Sequence, residues 1–113
     1  MEHQIKLQPQ YYQFILTGTK RIELRLYDAK RQQMQVGDSI KILKEPDLQS
    51  FFQAEIIGLF RYNTFAELVQ DFDISELADK SMTKEQLLTE LATFYPQELE
   101  QQYGVLGIQL KVK

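Results

Sequence analysis

Apolar residues recur along the chain with two periods, and the switches between them mark out the elements. Ile5 and Leu7 alternate with Lys6 and Gln8, which predicts a short opening strand. Pro9 suits the first position of a helix, Tyr12, Ile15 and Leu16 follow at helical spacing, and Gly18 supplies the stop. From Arg21 the period returns to two. Arg21, Glu23 and Arg25 fall on one face, and Ile22, Leu24 and Leu26 on the other. Residues 27–35 have no clean period and read as a polar turn or short helical piece. Val36-Gly37-Asp38 is a turn entering a strand over 39–43, with Ile40 and Ile42 inward. Asp38 is read as a turn residue bonding its own backbone. Residues 44–50, with Pro46, form a loop. Phe51–Tyr62 is a long strand, and Gly58 inside it suggests a bulge.

The second half is mostly helical. Thr64 with Glu67 is a capping box, followed by the apolar face Phe65, Leu68, Val69 and Phe72. A short helical piece is expected at 74–78. Thr83 with Gln86 is another capping box, opening a helix over Lys84–Phe94 with Leu87, Leu88, Leu91 and Phe94 buried. Pro96 fits the first turn of one more helix ending near Tyr103. Val105–Val112 closes a sheet, with Val105 and Gly107 on one face and Leu106, Ile108 and Leu110 on the other. Strands first, helices late and a strand last predict one α+β domain over residues 1–113, a partly open barrel with a helical insertion.

Composition narrows the chemistry. The 113 residues contain no cysteine and one histidine, His3, which excludes disulfides, thiol chemistry and a His/Cys metal site. No run is long enough to span a membrane, and the N-terminus lacks a signal-peptide layout, so a cytoplasmic location is expected. No metal or cofactor is expected, and no membrane partner. The net charge of −3 is unevenly spread. Residues 18–31 carry five basic side chains against two acidic ones, and residues 64–102 carry two against nine. That predicts a small positive site on an acidic body, suited to a local anion more than to a long nucleic-acid track. The acidic residues of the helices are read as a solvated face.

The stretch Gly18-Thr19-Lys20-Arg21-Ile22-Glu23-Leu24-Arg25 concentrates the candidate chemistry. Glu23 can hold Arg25 in a fixed fork, leaving guanidinium donors for a phosphate or carbonyl. The competing reading is a surface salt-bridge ladder worth little stability. Lys20 is one residue out of phase with that strand face and must reach the site from the turn. There it acts as a point charge or, with its pKa lowered by Arg21 and Arg25, as a base. Tyr11, Tyr12 and Phe14 read chiefly as packing residues, with Tyr11 or Tyr12 retained as a ligand candidate.

The pattern Gly18-x-Lys20-x-x-Glu23-x-Arg25 resembles the signature of ASCH domains, a branch of the PUA-like superfamily. The similarity runs on through Val36-Gly37-Asp38-Ser39-Ile40 and Tyr103-Gly104-Val105-Leu106-Gly107-Ile108. The resemblance implies a small PUA-like β-barrel with flanking helices and a charged cleft for RNA or a nucleoside. On that basis Lys20, Glu23 and Arg25 would bind the ligand, Arg61 and Tyr62 would line the same cleft, and Tyr62 or Tyr103 would stack on a base. Barrel-rim packing is the simpler role for Tyr62. Some small ASCH proteins hydrolyse N4-acetylcytidine with a lysine, a threonine three positions later and a glutamate before the long helix. Here those positions hold Lys20, Glu23 and Lys80, so the same amidohydrolase reaction is not expected. If the chain is an enzyme, Lys20 and Glu23 are the catalytic candidates, as an acid–base pair on RNA or a modified nucleoside. An adaptor using the acidic helices is the remaining alternative.

Overall fold

The computed structural model describes residues 2–113. The strands are β1 (Glu2–Leu7), β2 (Ile22–Leu26), β3 (Ser39–Lys44), β4 (Phe51–Tyr62) and β5 (Val105–Val112). The helices are α1 (Pro9–Leu16), α2 (Phe65–Asp71), α3 (Ile74–Leu77), α4 (Lys84–Phe94) and α5 (Gln97–Tyr103). A single 3-10 turn occupies Arg31–Gln33, within the stretch without a clean period. The strands form one mixed sheet in the order β1-β3-β4-β5-β2, curled into a half-barrel. β1 runs parallel to β3, and the other pairings are antiparallel. The pairing of β4 with β5 shifts register between Ile56 and Gly58, where the sequence predicts a bulge.

Alternation along the strands sorts apolar residues to two cores, one on each face. Ile5, Leu7, Ile40, Ile42, Ile56, Leu106, Ile108 and Leu110 pack with Tyr12 and Ile15 of α1. Ile22, Leu24, Leu26 and Val105 pack on the other face with Leu68 and Val69 of α2, Leu77 of α3, and Leu87 and Leu91 of α4. Gly107 permits the close approach of α2, since a Cβ there would meet Leu68 and Ile22 side-chain carbons at 3.3 and 3.2 Å. Both late helix starts fall where the sequence predicts, but only one is a full capping box. Thr64 accepts from the Glu67 amide while the Glu67 carboxylate takes the Thr64 hydroxyl instead of its amide, whereas Thr83 and Gln86 cap one another reciprocally.

One expectation fails here. Phe94, at the last turn of α4, is 51% exposed instead of buried. The helix ends at Tyr95, whose ring packs on Phe65, and this leaves Phe94 on the outer side of that contact. No helix among the described residues is long and apolar enough to cross a membrane.

The handover from α5 to β5 depends on Gly104. Its amide bonds the Glu100 carbonyl at 2.8 Å, its carbonyl accepts from Tyr27, and its backbone lies at φ 72°, ψ −171°. That region is nearly restricted to glycine, and an added Cβ would stand 3.0 Å from the Tyr62 carbonyl. Gly104→Ala is expected to destabilise the fold by about 2 kcal/mol in urea unfolding, within the range for such strain.

Candidate functional site

The half-barrel leaves β1 and β2 as its two edges, and the curl brings them together across a seam. Arg25 of β2 spans that seam, donating from Nη2 to the Lys6 carbonyl of β1 at 2.8 Å. Its Nε donates to Glu23 Oε2, also at 2.8 Å. Lys20 approaches from the turn after α1. The turn is set by Gly18 at φ 82° and by the Lys20 amide bonding the Phe14 carbonyl. Lys20 Nζ lies 3.3 Å from Glu23 Oε1 and donates to the Leu77 carbonyl at 2.7 Å. Each Glu23 oxygen therefore has its own cation.

This is not the surface ladder that charge alternation allows. Lys20 is 2% exposed and Glu23 6%. The charged face of β2 is turned inward by the curl and covered by α1 and α4. Arg21, placed on that face by its phase, is instead exposed ahead of the strand. Its amide bonds the Glu76 carbonyl, and it lines a separate groove with Thr19, Ser75 and Lys80.

Burial sets the protonation chemistry. It pushes the Glu23 carboxyl up, but Lys20 and Arg25 together overcome that and hold it below the ordinary carboxylate value. Burial pulls the Lys20 ammonium below the usual lysine range, with Glu23 offsetting part of the effect. Burial also opposes the Arg25 charge, and Glu23 outweighs it, so Arg25 lies above its ordinary value.

A cavity of about 270 Å³ opens over this cluster. Its lining includes Lys20, Glu23 and Arg25, together with Tyr11 from α1, Leu87, Glu90, Leu91 and Phe94 from α4, and Tyr95. The Tyr11 phenol donates to Glu90 Oε2 and ties α1 to α4 across the cavity. The Tyr11 ring stands 5.4 Å from Lys20 Nζ. Burial, and then the bond to Glu90, raise the Tyr11 phenol far above the ordinary tyrosine value. Burial likewise raises the Tyr95 phenol, which has no hydrogen-bond partner among the described residues.

The other sequence candidates lie elsewhere. The Arg61 guanidinium stacks on Tyr27 at 4.0 Å, Tyr62 donates to Asp71 at 2.8 Å, and Tyr103 is a half-exposed residue at the end of α5. None of them lines the cavity. Lys80 is exposed beside the groove of Arg21. Of the two early tyrosines, Tyr11 reaches the cavity and Tyr12 is buried in the core. Asp38 accepts from the Gln35 amide as a turn residue and also pairs with His3 at 2.8 Å.

Sequence reasoning missed Glu90, Tyr95 and Phe94. The acidic-face reading puts Glu90 in solvent, yet it lies three residues after Leu87, on the helix stripe that packs inward. The expected positive site is also corrected. Lys6, Lys20 and Arg25 are matched in the lining by Glu23, Glu45 and Glu90, so the charges balance. Among the described residues no cluster of His, Cys, Asp or Glu suits a metal ion.

A five-stranded mixed sheet curled into a half-barrel, with five helices, is the ASCH/PUA-like fold, here with the helices of the second half laid over one face. The family model of the ASCH domain matches residues 5–113, and the chain belongs to that family. It is similar over its full length to the crystal structure of the hypothetical protein PH0355. The identity is 30%, the TM-score 0.86, and all of both chains is covered. It is also similar to the solution structure of protein PF0455 from Pyrococcus furiosus, at 28% identity and TM-score 0.76, covering 99% of this chain and 97% of that one. An ASCH protein from Zymomonas mobilis shares the fold at 15% identity and TM-score 0.69, over 97% of this chain and 67% of that one. No curated protein matches the sequence.

Two outcomes follow for the buried triad. Arg25→Ala removes one of Glu23's two cations and the seam contact to Lys6, so it is expected to cost about 3 kcal/mol, as for a broken buried pair. Chemical denaturation measures this, and a loss under about 1 kcal/mol would match an exposed pair instead. The second outcome concerns pH. A carboxyl held below its unfolded value of 4.5 stabilises fully above that pH. That stability is lost as pH falls through the lower folded value. Lys20 acts in the same direction in a higher window, because its lowered folded value makes stability rise with pH up to 10.5. Glu23→Gln should therefore flatten the acid side of a stability–pH curve while lowering its plateau.

Proposed function

We propose that the cleft at the β1–β2 seam binds RNA through a single nucleotide, or a free nucleoside. The observation that carries this reading is the triad of buried Lys20 and Glu23 with part-buried Arg25, forming the floor of a cavity with aromatic walls. The triad supplies directional donors fixed before any ligand arrives. Lys20 has three N–H donors, and two are committed to Glu23 and the Leu77 carbonyl. Arg25 commits Nε to Glu23 and Nη2 to Lys6, and a guanidinium has five donors in all. The uncommitted donors suit a carbonyl or ring-nitrogen acceptor. Tyr11 and Tyr95 supply aromatic walls, and Phe94 offers an exposed ring at the rim for stacking.

Size and charge favour a small occupant. Ligand pockets commonly span about 300–1,000 Å³, and this one lies just below that range. The balanced charges favour a neutral base over a run of phosphates. Catalysis through Glu23 is disfavoured, because a general base works best with a pKa near the working pH. Glu23 is held below the carboxylate range by two cations.

Calorimetric titration with nucleosides and short oligoribonucleotides tests the reading. Saturable binding of a nucleoside is expected, with Arg25→Lys weakening it by at least about tenfold through loss of the planar fork. For oligoribonucleotides the slope of log affinity against log salt should be no steeper than about −1.4, two phosphates at about 0.7 each. A slope near −5, with affinity still rising with length, would indicate an extended basic track. Acetate release from N4-acetylcytidine should not exceed the uncatalysed rate.

A further inference from the structure

We infer that the Glu90–Tyr11 pair makes the cleft selective for amino nucleobases over their keto counterparts. This inference rests on the reading of the cleft as a nucleoside site. Two carboxylates, Glu23 and Glu90, stand beside Lys20 in the cavity, and they are not equivalent. Glu23 has Lys20 on Oε1 and Arg25 on Oε2, so both oxygens already carry a cation, and the residue is almost fully buried. Glu90 accepts from the Tyr11 phenol at Oε2, and Oε1 has no protein partner among the described residues. No cation forms an ion pair with it there. It is the acceptor of this cluster left for an incoming N–H.

Orientation separates Glu90 from Glu45, the other carboxylate of the lining. Glu45 begins the loop after β3, and no side-chain bond orients its carboxylate. Its charge acts on Arg25, so it belongs to the seam end of the cavity. Glu90 is on a four-sided support instead. The Thr83–Gln86 box satisfies two backbone amides at the start of its helix. Leu87 and Leu91 on either side of it are buried. Tyr11 then fixes the carboxylate itself. A hydrogen-bonding group held this way selects strongly, because little ordering remains to be done on binding.

The neighbours complete a pattern. Tyr11 joins Glu90 on one side and stands over Lys20 on the other. The cluster thus offers an acceptor, Glu90, and a cationic donor, Lys20 with one uncommitted N–H, both against Tyr11 and electrostatically felt by one another. The Watson–Crick edge of cytosine carries an exocyclic amine beside a bare ring nitrogen. Adenine carries the same pair. Both edges complement acceptor-then-donor. Uracil and hypoxanthine carry a carbonyl beside a ring N–H, which sets oxygen against the carboxylate and N–H against the ammonium. Contacts between a carboxylate and a base amine are a recurrent means of base discrimination.

The test measures binding of two isosteric pairs, cytidine with uridine and adenosine with inosine, to the wild-type chain and three variants. The wild type is expected to prefer the amino member of each pair by about 10- to 100-fold. In Glu90→Gln, the amide oxygen can take the Tyr11 hydrogen bond and leave the amide N–H₂ facing the ligand. The preference should then fall to parity or invert toward the keto members. Tyr11→Phe keeps the carboxylate and removes its anchor, so discrimination should narrow to a few-fold. It also serves as the second variant should Glu90→Gln fail to fold. Equal wild-type affinity for both members of each pair would overturn the inference and leave the nucleoside reading standing. Unchanged discrimination in both Glu90→Gln and Tyr11→Phe would do the same, as would its loss in Glu45→Gln alone. Absence of binding to all four nucleosides would remove both.

Discussion

A carboxylate withdrawn from water must be compensated, and much of this fold is arranged around how Glu23 is. Burial of an unpaired carboxylate costs several kcal/mol. Here the compensation comes from two directions at once. Lys20 arrives from the turn that ends α1, and Arg25 arrives from two residues along the same strand. Each of these cations is anchored in turn to a backbone carbonyl of a different element, Leu77 in α3 for Lys20 and Lys6 in β1 for Arg25. The triad therefore fixes the turn after α1, the late helices and both edges of the sheet relative to one another. A pair of salt-linked side chains on an open surface would constrain none of these.

The same arrangement explains why the cavity is found at the seam. A sheet that closed fully would pair β1 with β2 through backbone hydrogen bonds and leave no room between them. A side chain makes the connection instead, through one guanidinium, and the space beside it stays open. The two cores meet at this line, α1 from one and α4 from the other, joined by Tyr11 and Glu90. A binding site bounded by two rigid cores and a strand edge is preorganised without a lid. That suits recognition of a small group by fixed donors and acceptors, in which ordering costs are met by folding.

How far the sequence reveals this depends on the range of the interactions involved. The strands, the bulge at Gly58, the N-cap at Thr64 and the capping box at Thr83 are set by neighbours within a few residues, and their patterns are legible. So is the division of β5, where Leu106, Ile108 and Leu110 face one core and Val105 the other. The charged face of β2 is legible as a pattern but not as an environment. Alternation gives the phase of Glu23 and Arg25, whereas the curl that buries them comes from the whole sheet. The resemblance associates Tyr62 and Arg61 with the cleft. They find local partners in Asp71 and Tyr27 instead. Glu90 is the instructive omission. Its polarity suggested solvent, while its spacing from Leu87 and Leu91 had already put it near the packed stripe of α4.

Charge balance then limits what the acidic body does to the site. Counted along the sequence, residues 18–31 are basic and residues 64–102 acidic, which suggests a positive patch set against a negative background. Folding mixes the two, since Glu90 from the acidic half enters the cavity and Glu23 neutralises part of the basic half. Fields from the remaining carboxylates of the helices are screened over roughly 8 Å at physiological salt. On the proposed nucleoside reading, recognition inside the cavity would rest on hydrogen-bond direction at short range, and the acidic surface would hold off the phosphates flanking a bound base. The two effects together would favour an end, a loop or a free nucleoside over the middle of a continuous strand.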